Sequence, residues 1–285
     1  MFRRQKTGSI ICPYCGKLVG AGEKECWNCG RRNPGLWGFA SMLRLFGNRL
    51  EFVSVVIYGC AILYVATLLV DPHNISMQGI SILSPSPGSL LIFGASGWMP
   101  VFTLDRWWTV LSAAWLHGGL LHILFNMLWI RQLAPATAEL YGASRLVIIY
   151  TVSSITGFLL TSGAALVIGT SSLLFIRSAQ LTVGASAPIF GLLGALVAFG
   201  QRSGSRHIGG QAMTYAAILF VFGIIMPYVD NLAHLGGFLG GYAVARMMNP
   251  AVRERFEHTI TAIVCVALTL LSILASVITS GSLFR

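Results

Sequence analysis

The chain has 285 residues, 55% of them hydrophobic and only 10% charged, with a formal net charge of +10. A mean hydropathy of +0.75 excludes an ordinary soluble globular domain and leaves a membrane protein. The positive charge then follows from membrane topology and attraction to anionic lipid, so no nucleic-acid partner is required to explain it.

The first residues are polar and basic and carry two CxxC pairs, Cys12 with Cys15 and Cys26 with Cys29, separated by ten residues. Two such knuckles offer four thiolates in a tetrahedron, the closed coordination of structural zinc. Each pair is followed by glycine, and the charge pattern places the segment in a reducing cytosol, which disfavours disulfides. A unit this small has almost no core, so the metal is expected to supply most of its stability. Closed coordination leaves no open catalytic position, and the expected use of this zinc ribbon is regulation or docking of a cytosolic protein. The expected boundaries are 1–35 for the module and 36–51 for the linker that follows.

A spanning helix needs about 20 apolar residues, and seven stretches qualify: 52–70, 110–130, 146–168, 184–202, 211–229, 231–248 and 259–279. The first lies behind the polar segment and reads as a retained anchor rather than a cleaved signal. Nine of the 19 lysines and arginines precede it, and an inside N-terminus leaves only Arg106, Arg177 and Arg285 on the outer side. That asymmetry predicts a cytoplasmic N-terminus, in what is expected to be the plasma membrane of a prokaryote.

Ionisable side chains within spans are costly and by default face protein or a wet cavity. The second stretch holds His117, His122 and Asn126. His122 and Asn126 are four apart and share a helix face, with His117 about 140° round the same helix from His122. The fourth opens with Ser186, between Gly184 and Pro188, where unpaired N–H groups and the helix dipole favour a developing negative oxygen. Taken alone, a serine there reads as an N-cap. The sixth holds His234 with Gly236, Gly237, Gly240 and Gly241, two small-xxx-small pairs that permit close helix approach.

The second, fourth and sixth stretches run in the same direction, which puts Ser186 and His234 at comparable depth. A nucleophile needs a base within reach, and an acyl-transfer transition state needs donors for its oxyanion. Ser186 and His234 fit the first requirement, His122 and Asn126 the second. If the second helix starts near residue 110, His122 lies about 18 Å down its axis. The fourth helix is therefore expected to start below the outer surface, with 169–183 dipping inward around a wet cavity. Asp230 is either a carboxylate that orients His234 or a loop-end residue. Cys60 and Cys265 read as small buried hydrophobes, and His73, His207 and His258 as solvated.

The pattern in HGGLLHILFNM (117–127) resembles the HxxxxHxxxN signature of the rhomboid family of intramembrane serine proteases. GASAPIFG (184–191) is similar to its GxSG motif, AHLGGFLGG (233–241) to its AHxGG motif, and ELYGASR (139–145) to its E…G…R turn. The resemblance covers about 50–250. It implies a six-helix rhomboid-like bundle over 52–250; the zinc-ribbon module in front and one further C-terminal transmembrane helix in 251–285 are additions to that core, and the whole is expected to be an all-α polytopic membrane protein. It further implies Ser186 as nucleophile, His234 as general base, an oxyanion hole from His122, Asn126 and the Ser186 N–H, and transmembrane proteins as substrates admitted sideways from the lipid bilayer. The loop 71–106, with Trp98, Trp107 and Trp108 near its end, looks like the family's partly inserted first loop.

Two positions depart from the family pattern. Ala187 stands where glycine usually follows the serine, adding a methyl expected to narrow the site. Trp108–Thr109 stands where a tryptophan–arginine pair usually precedes the second helix, a change expected to alter first-loop bonding. Two other function classes compete: a non-catalytic membrane-protein chaperone or scaffold, and a transporter with a histidine proton relay, which lacks an acidic partner at midplane.

Overall fold

Glycine placement decides how this chain packs. In the computed structural model, which describes residues 4–40, 52–168, 178–226 and 229–281, seven long helices follow a small cysteine module. They are α1 (Phe52–Val70), α2 (Leu120–Tyr141), α3 (Ala143–Ile168), α4 (Ser186–Ser203), α5 (Arg206–Ile225), α6 (Asn231–Met247) and α7 (Phe256–Ser280). By length and composition α1, α3, α5 and α7 can each cross a membrane, as can the bent pair formed by Thr109–Trp115 and α2. The protein is an all-α polytopic membrane protein with a small cysteine module.

Helices α4 and α6 are the short ones, and their surroundings explain why. Every residue of α4 from Ala187 to Ala198 is buried, so this helix meets protein on all sides and has no need to match the thickness of lipid. Helix α6 lies against both α3 and α4. Its glycines form two faces four residues apart. Gly236 and Gly240 turn to α3, where a Cβ at Gly236 would come within 2.6 Å of the Thr156 carbonyl oxygen. Gly237 and Gly241 turn to α4, where added Cβ atoms would land on the backbone carbonyls of Ala187 and Gly191. The two small-residue pairs thus serve two different neighbours at once.

Ala187 exploits the same closeness. Its side chain is fully buried and points at Gly157 of α3, where a Cβ would lie 2.7 Å from the Ala187 Cβ. The extra methyl is absorbed by α3, contrary to the expected narrowing of the site.

The expected second span, 110–130, is not one helix. The chain forms a short helix, Thr109–Ser112, and one further turn, Ala113–Trp115, then bends by 93° before α2. Gly119 is extended at the break, and Leu116 leaves the helical region. His117 therefore sits in the break rather than about 140° round a common helix. Helices α3, α5 and α7 also start several residues before the apolar stretches, because polar first turns such as the one capped by Ser205 escape a hydropathy reading.

The loop from 71 to 106 contains a helix at Pro87–Phe93 and several short turns. Its buried cation is Arg106, 2% exposed, which supplies a guanidinium three residues before Thr109. Trp107 is exposed and Trp108 is partly covered. The tight turn between α2 and α3 is held by Arg145, which donates to the carbonyls of Asn249 (3.0 Å) and Val252 (2.9 Å). Its backbone N–H donates to Glu254 (2.8 Å), whose pKa burial raises. Arg3, Arg44, Arg49, Arg177 and Arg285, most of the linker 36–51, and 169–177 of the expected inward dip lie outside the described residues.

Gly241→Ala is expected to cost about 1–3 kcal/mol by overpacking against α4, whereas Gly163→Ala, with open space at its Cβ position, is expected to be neutral or mildly stabilising. Unfolding of both variants in mixed detergent micelles checks the contrast.

Candidate active site and metal centre

Three helices begin at one place, and each brings a polar side chain in its first turn: His122 on α2, Ser186 on α4, His234 on α6. The break before α2 is what lifts His122 to this level. The depth mismatch expected from a helix starting near 110 disappears.

Ser186 is not an N-cap. Ala185 holds that position, no side chain caps α4, and the Ser186 hydroxyl makes no hydrogen bond among the described residues. Helix α2 likewise starts without a side-chain cap. By contrast, Ser205 caps α5 and Asp230 caps α6. The free N–H groups and positive dipole end at α4 are thus available to an anionic group.

Gly184, at φ +132°, is the spacer between Ser186 and His122. A Cβ there would lie 2.7 Å from His122 Nε2 and 3.7 Å from Ser186 Oγ. The His122 tautomer follows from its partner: the Gly118 N–H donates to Nδ1 at 3.3 Å, so in the neutral ring the proton sits on Nε2, on the side of Gly184. The ring of His117 meets that of His122 edge-on with centroids 5.2 Å apart. Asn126 donates its amide to the His122 carbonyl at 2.8 Å, which leaves one of its two N–H groups unspent.

His234 carries the opposite tautomer. Asn231 Nδ2 donates to the Phe220 carbonyl at 3.3 Å, which turns Asn231 Oδ1 toward His234 Nδ1 at 3.2 Å. An amide oxygen only accepts, so Nδ1 bears the proton and Nε2 keeps its lone pair. The ring is stacked on Phe190 with centroids 4.2 Å apart and planes 15° from parallel. Phe190 lies one turn after Ser186 on α4, so the stack sets the imidazole over the helix turn that begins with the serine. Of the two roles open to Asp230, the structure takes the local one: Oδ1 accepts from the Ala233 N–H at 2.9 Å and closes the start of α6.

Sequence reasoning named Ser186, His234, His122 and Asn126, and the structure gathers them at one end of the bundle. It missed Asn231 and Phe190. The spacings were available, three residues before His234 and four after Ser186, but neither residue type announces itself as a neighbour of a histidine.

Residues 178–184 lead into α4 without helix, beside this group. Thr182 pairs with Ser96 in an antiparallel bridge, and the Gly184 N–H donates to Ala113 O at 2.9 Å. The first loop, through Ser96, and the turn before α2, through Ala113, are thereby joined to the segment that leads into Ser186.

At the other end of the bundle, strands β1 (Ser9–Ile11) and β2 (Leu18–Gly20) pair antiparallel and hold four cysteines whose sulfurs all lie within 4.8 Å of one another. Cys12 and Cys29 are 3.9 Å apart, Cys15 and Cys26 3.7 Å. Zinc–thiolate bonds of about 2.3 Å in a tetrahedron require sulfurs about 3.8 Å apart, so the cluster fits a metal of that kind. The backbone N–H of Lys17 lowers the pKa of the Cys15 thiol to about 6, while burial raises that of Cys12 to about 12. The module rests on the start of α7: the Phe256 N–H donates to Pro13 O at 3.1 Å, and Arg31 pairs with Glu257 at 3.0 Å. His258, expected to be solvated, is half-buried and accepts from the Arg255 N–H at 3.0 Å, closing the same helix end.

Nitrogen-15 shifts of the imidazoles are expected to show Nδ1–H for His234 and Nε2–H for His122 in the neutral rings. Asn231→Ala is expected to release the His234 preference while leaving that of His122 intact.

Residues 104–251 match the Rhomboid domain family. Over 187 residues the chain is 29% identical to RHOMBOID-like protein 7 of Arabidopsis thaliana, covering 64% of this chain and 55% of that protein. It is 31% identical to the rhomboid protease GluP of Bacillus subtilis (strain 168), over 65% of this chain and 34% of that one, and 34% identical to RHOMBOID-like protein 1 of Arabidopsis thaliana, over 58% and 41%. The aligned part thus spans between about a third and just over half of these relatives.

Proposed function

Because the chain belongs to the rhomboid family, we propose that it is an intramembrane serine endopeptidase that cleaves peptide bonds in or near the transmembrane segments of other membrane proteins. Ser186 is the nucleophile and His234 the general base, acting as a dyad. The reading rests most heavily on the complementary tautomers, a lone pair on His234 Nε2 and a proton on His122 Nε2, near a serine hydroxyl that caps nothing: Gly184 spaces Ser186 from His122, and His234 stacks on Phe190 one turn after Ser186.

In the first step His234 Nε2 takes the hydroxyl proton as Ser186 Oγ bonds to the scissile carbonyl carbon. The negative charge that develops on the carbonyl oxygen is met by the His122 Nε2–H, the Ser186 backbone N–H and the remaining Asn126 N–H, preorganised donors at the positive end of α4. The imidazolium then returns the proton to the departing amine, leaving an ester on Ser186. Water, deprotonated by the same imidazole, hydrolyses the ester. Asn231 acts through His234, fixing its tautomer and stabilising the imidazolium. Substrates enter sideways from the bilayer, and the lysine and arginine distribution supports a cytoplasmic N-terminus with the site near the outer surface.

The cysteine cluster is a structural zinc site with Cys12, Cys15, Cys26 and Cys29 as ligands. Four thiolates leave the metal no open position, so it takes no part in the hydrolysis. Its module serves contacts on the cytoplasmic side.

Purified chain in proteoliposomes is expected to react with a fluorophosphonate at Ser186 and to cleave a model transmembrane substrate. Ser186→Ala and His234→Ala are each expected to lower cleavage by about a thousandfold or more. Cleavage that survives Ser186→Ala defeats the reading, while cellular function undiminished in both variants supports the scaffold alternative. Elemental analysis is expected to find one zinc per chain, lost in Cys12→Ser/Cys15→Ser without loss of fluorophosphonate labelling.

A further inference from the structure

Helix α7 lies outside the matched family region, yet it is joined to the first loop by an interlocking set of bonds. Arg106 spreads its guanidinium between the two partners, Nη1 donating to Leu91 O at 2.8 Å and Nη2 to Ser276 O at 2.6 Å. Trp108 Nε1 donates to Ser276 Oγ at 3.1 Å, and Ser272 Oγ donates back to Trp108 O at 2.7 Å. Space is tight there as well: a Cβ at Gly94 would lie 2.6 Å from Ser276 Oγ. Both short helices of this region, Pro87–Phe93 and Thr109–Ser112, pack on α7.

The loop so held is also the loop that touches the site. Ser96 bridges Thr182, Ile82 O accepts from the Leu120 N–H at the head of α2, and Ser84 donates to Gly118 O; just past the loop, Ala113 O accepts from the Gly184 N–H. Residues on either side of Ser186 and His122 therefore take their placement in part from the loop. The loop in turn takes its placement from α7, whose opposite end is held by the cysteine module through Pro13 and Arg31.

We infer that α7 is the anchor of the first loop, and that Ser272 and Ser276 are positioning residues for substrate entry in the reaction proposed above, on which the activity part of this inference rests. A transmembrane substrate must pass the loop, whereas a small phosphonate need only reach the serine. Weakening the anchor thus acts on the first and spares the second.

The test uses the full chain in lipid nanodiscs, comparing wild type, Ser272→Ala/Ser276→Ala and the hydroxyl-retaining Ser272→Thr. Hydrogen–deuterium exchange over 87–112 is expected to rise about tenfold in the double alanine variant, from the loss of two hydrogen bonds. KM for a model transmembrane substrate is expected to shift about fivefold or more with a smaller change in kcat, while fluorophosphonate labelling stays within about twofold of wild type. Ser272→Thr is expected to behave as wild type. Unchanged loop exchange in the double variant overturns the inference. So does exchange that rises equally across α4 and α6 with labelling lost, since that marks general destabilisation. If the wild type neither labels nor cleaves, the protease reading fails, and loop exchange alone still decides whether α7 is the anchor.

Discussion

The separation between α6 and its two neighbours governs the rest of the molecule. Four glycines let α6 lie backbone against backbone with α3 on one side and α4 on the other. In lipid there is little hydrophobic drive to bring helices together, so dispersion contacts of this closeness do the work. His234 and Asn231 sit at the head of α6, and Phe190 and Ser186 at the head of α4. A shift of one ångström between those helices would move the His234 imidazole relative to Ser186, and the hydrolysis proposed above does not tolerate such a shift.

Around that contact, hydrogen-bonding capacity is distributed unevenly. Helices α5 and α6, and the short helix begun by Ser86, start with a side-chain cap. The heads of α2 and α4 have none. Asn126 and Asn231 each use part of their amide on a backbone carbonyl and keep part for elsewhere. Gly118 and Asn231 decide which nitrogen of each histidine carries its proton. The result is an acceptor nitrogen on His234 and a donor nitrogen on His122, each set by a neutral group, and among the described residues no carboxylate is bonded to either imidazole.

Much of this was legible in the sequence because the relevant signals are residue types at fixed spacing. His122, Asn126, Ser186 and His234 are expensive in a membrane and therefore conspicuous, and two CxxC pairs have few other readings. The glycines of α6 were visible as pairs, but which helix each pair would meet was not. The break before α2 was hidden because residues 110–130 are apolar throughout, and hydropathy cannot see a bend. Arg106 was counted as an outer-loop charge, whereas its fork is buried among carbonyls, one of them 170 residues away in the chain. Ala187 seemed a burden to the site until Gly157, on another helix, was seen to take its methyl. Each of these depends on partners distant in sequence.

The clasp between the cysteine module and α7 joins Arg31 to Glu257, residues 226 positions apart. A chain emerging from a ribosome can fold its cysteine knuckles as soon as their few dozen residues are out, long before α7 has been made. The module must then wait at the membrane face until that helix inserts. Closure of the clasp consequently follows insertion of α7, and it can form only on a molecule in which α7 has been threaded the right way round.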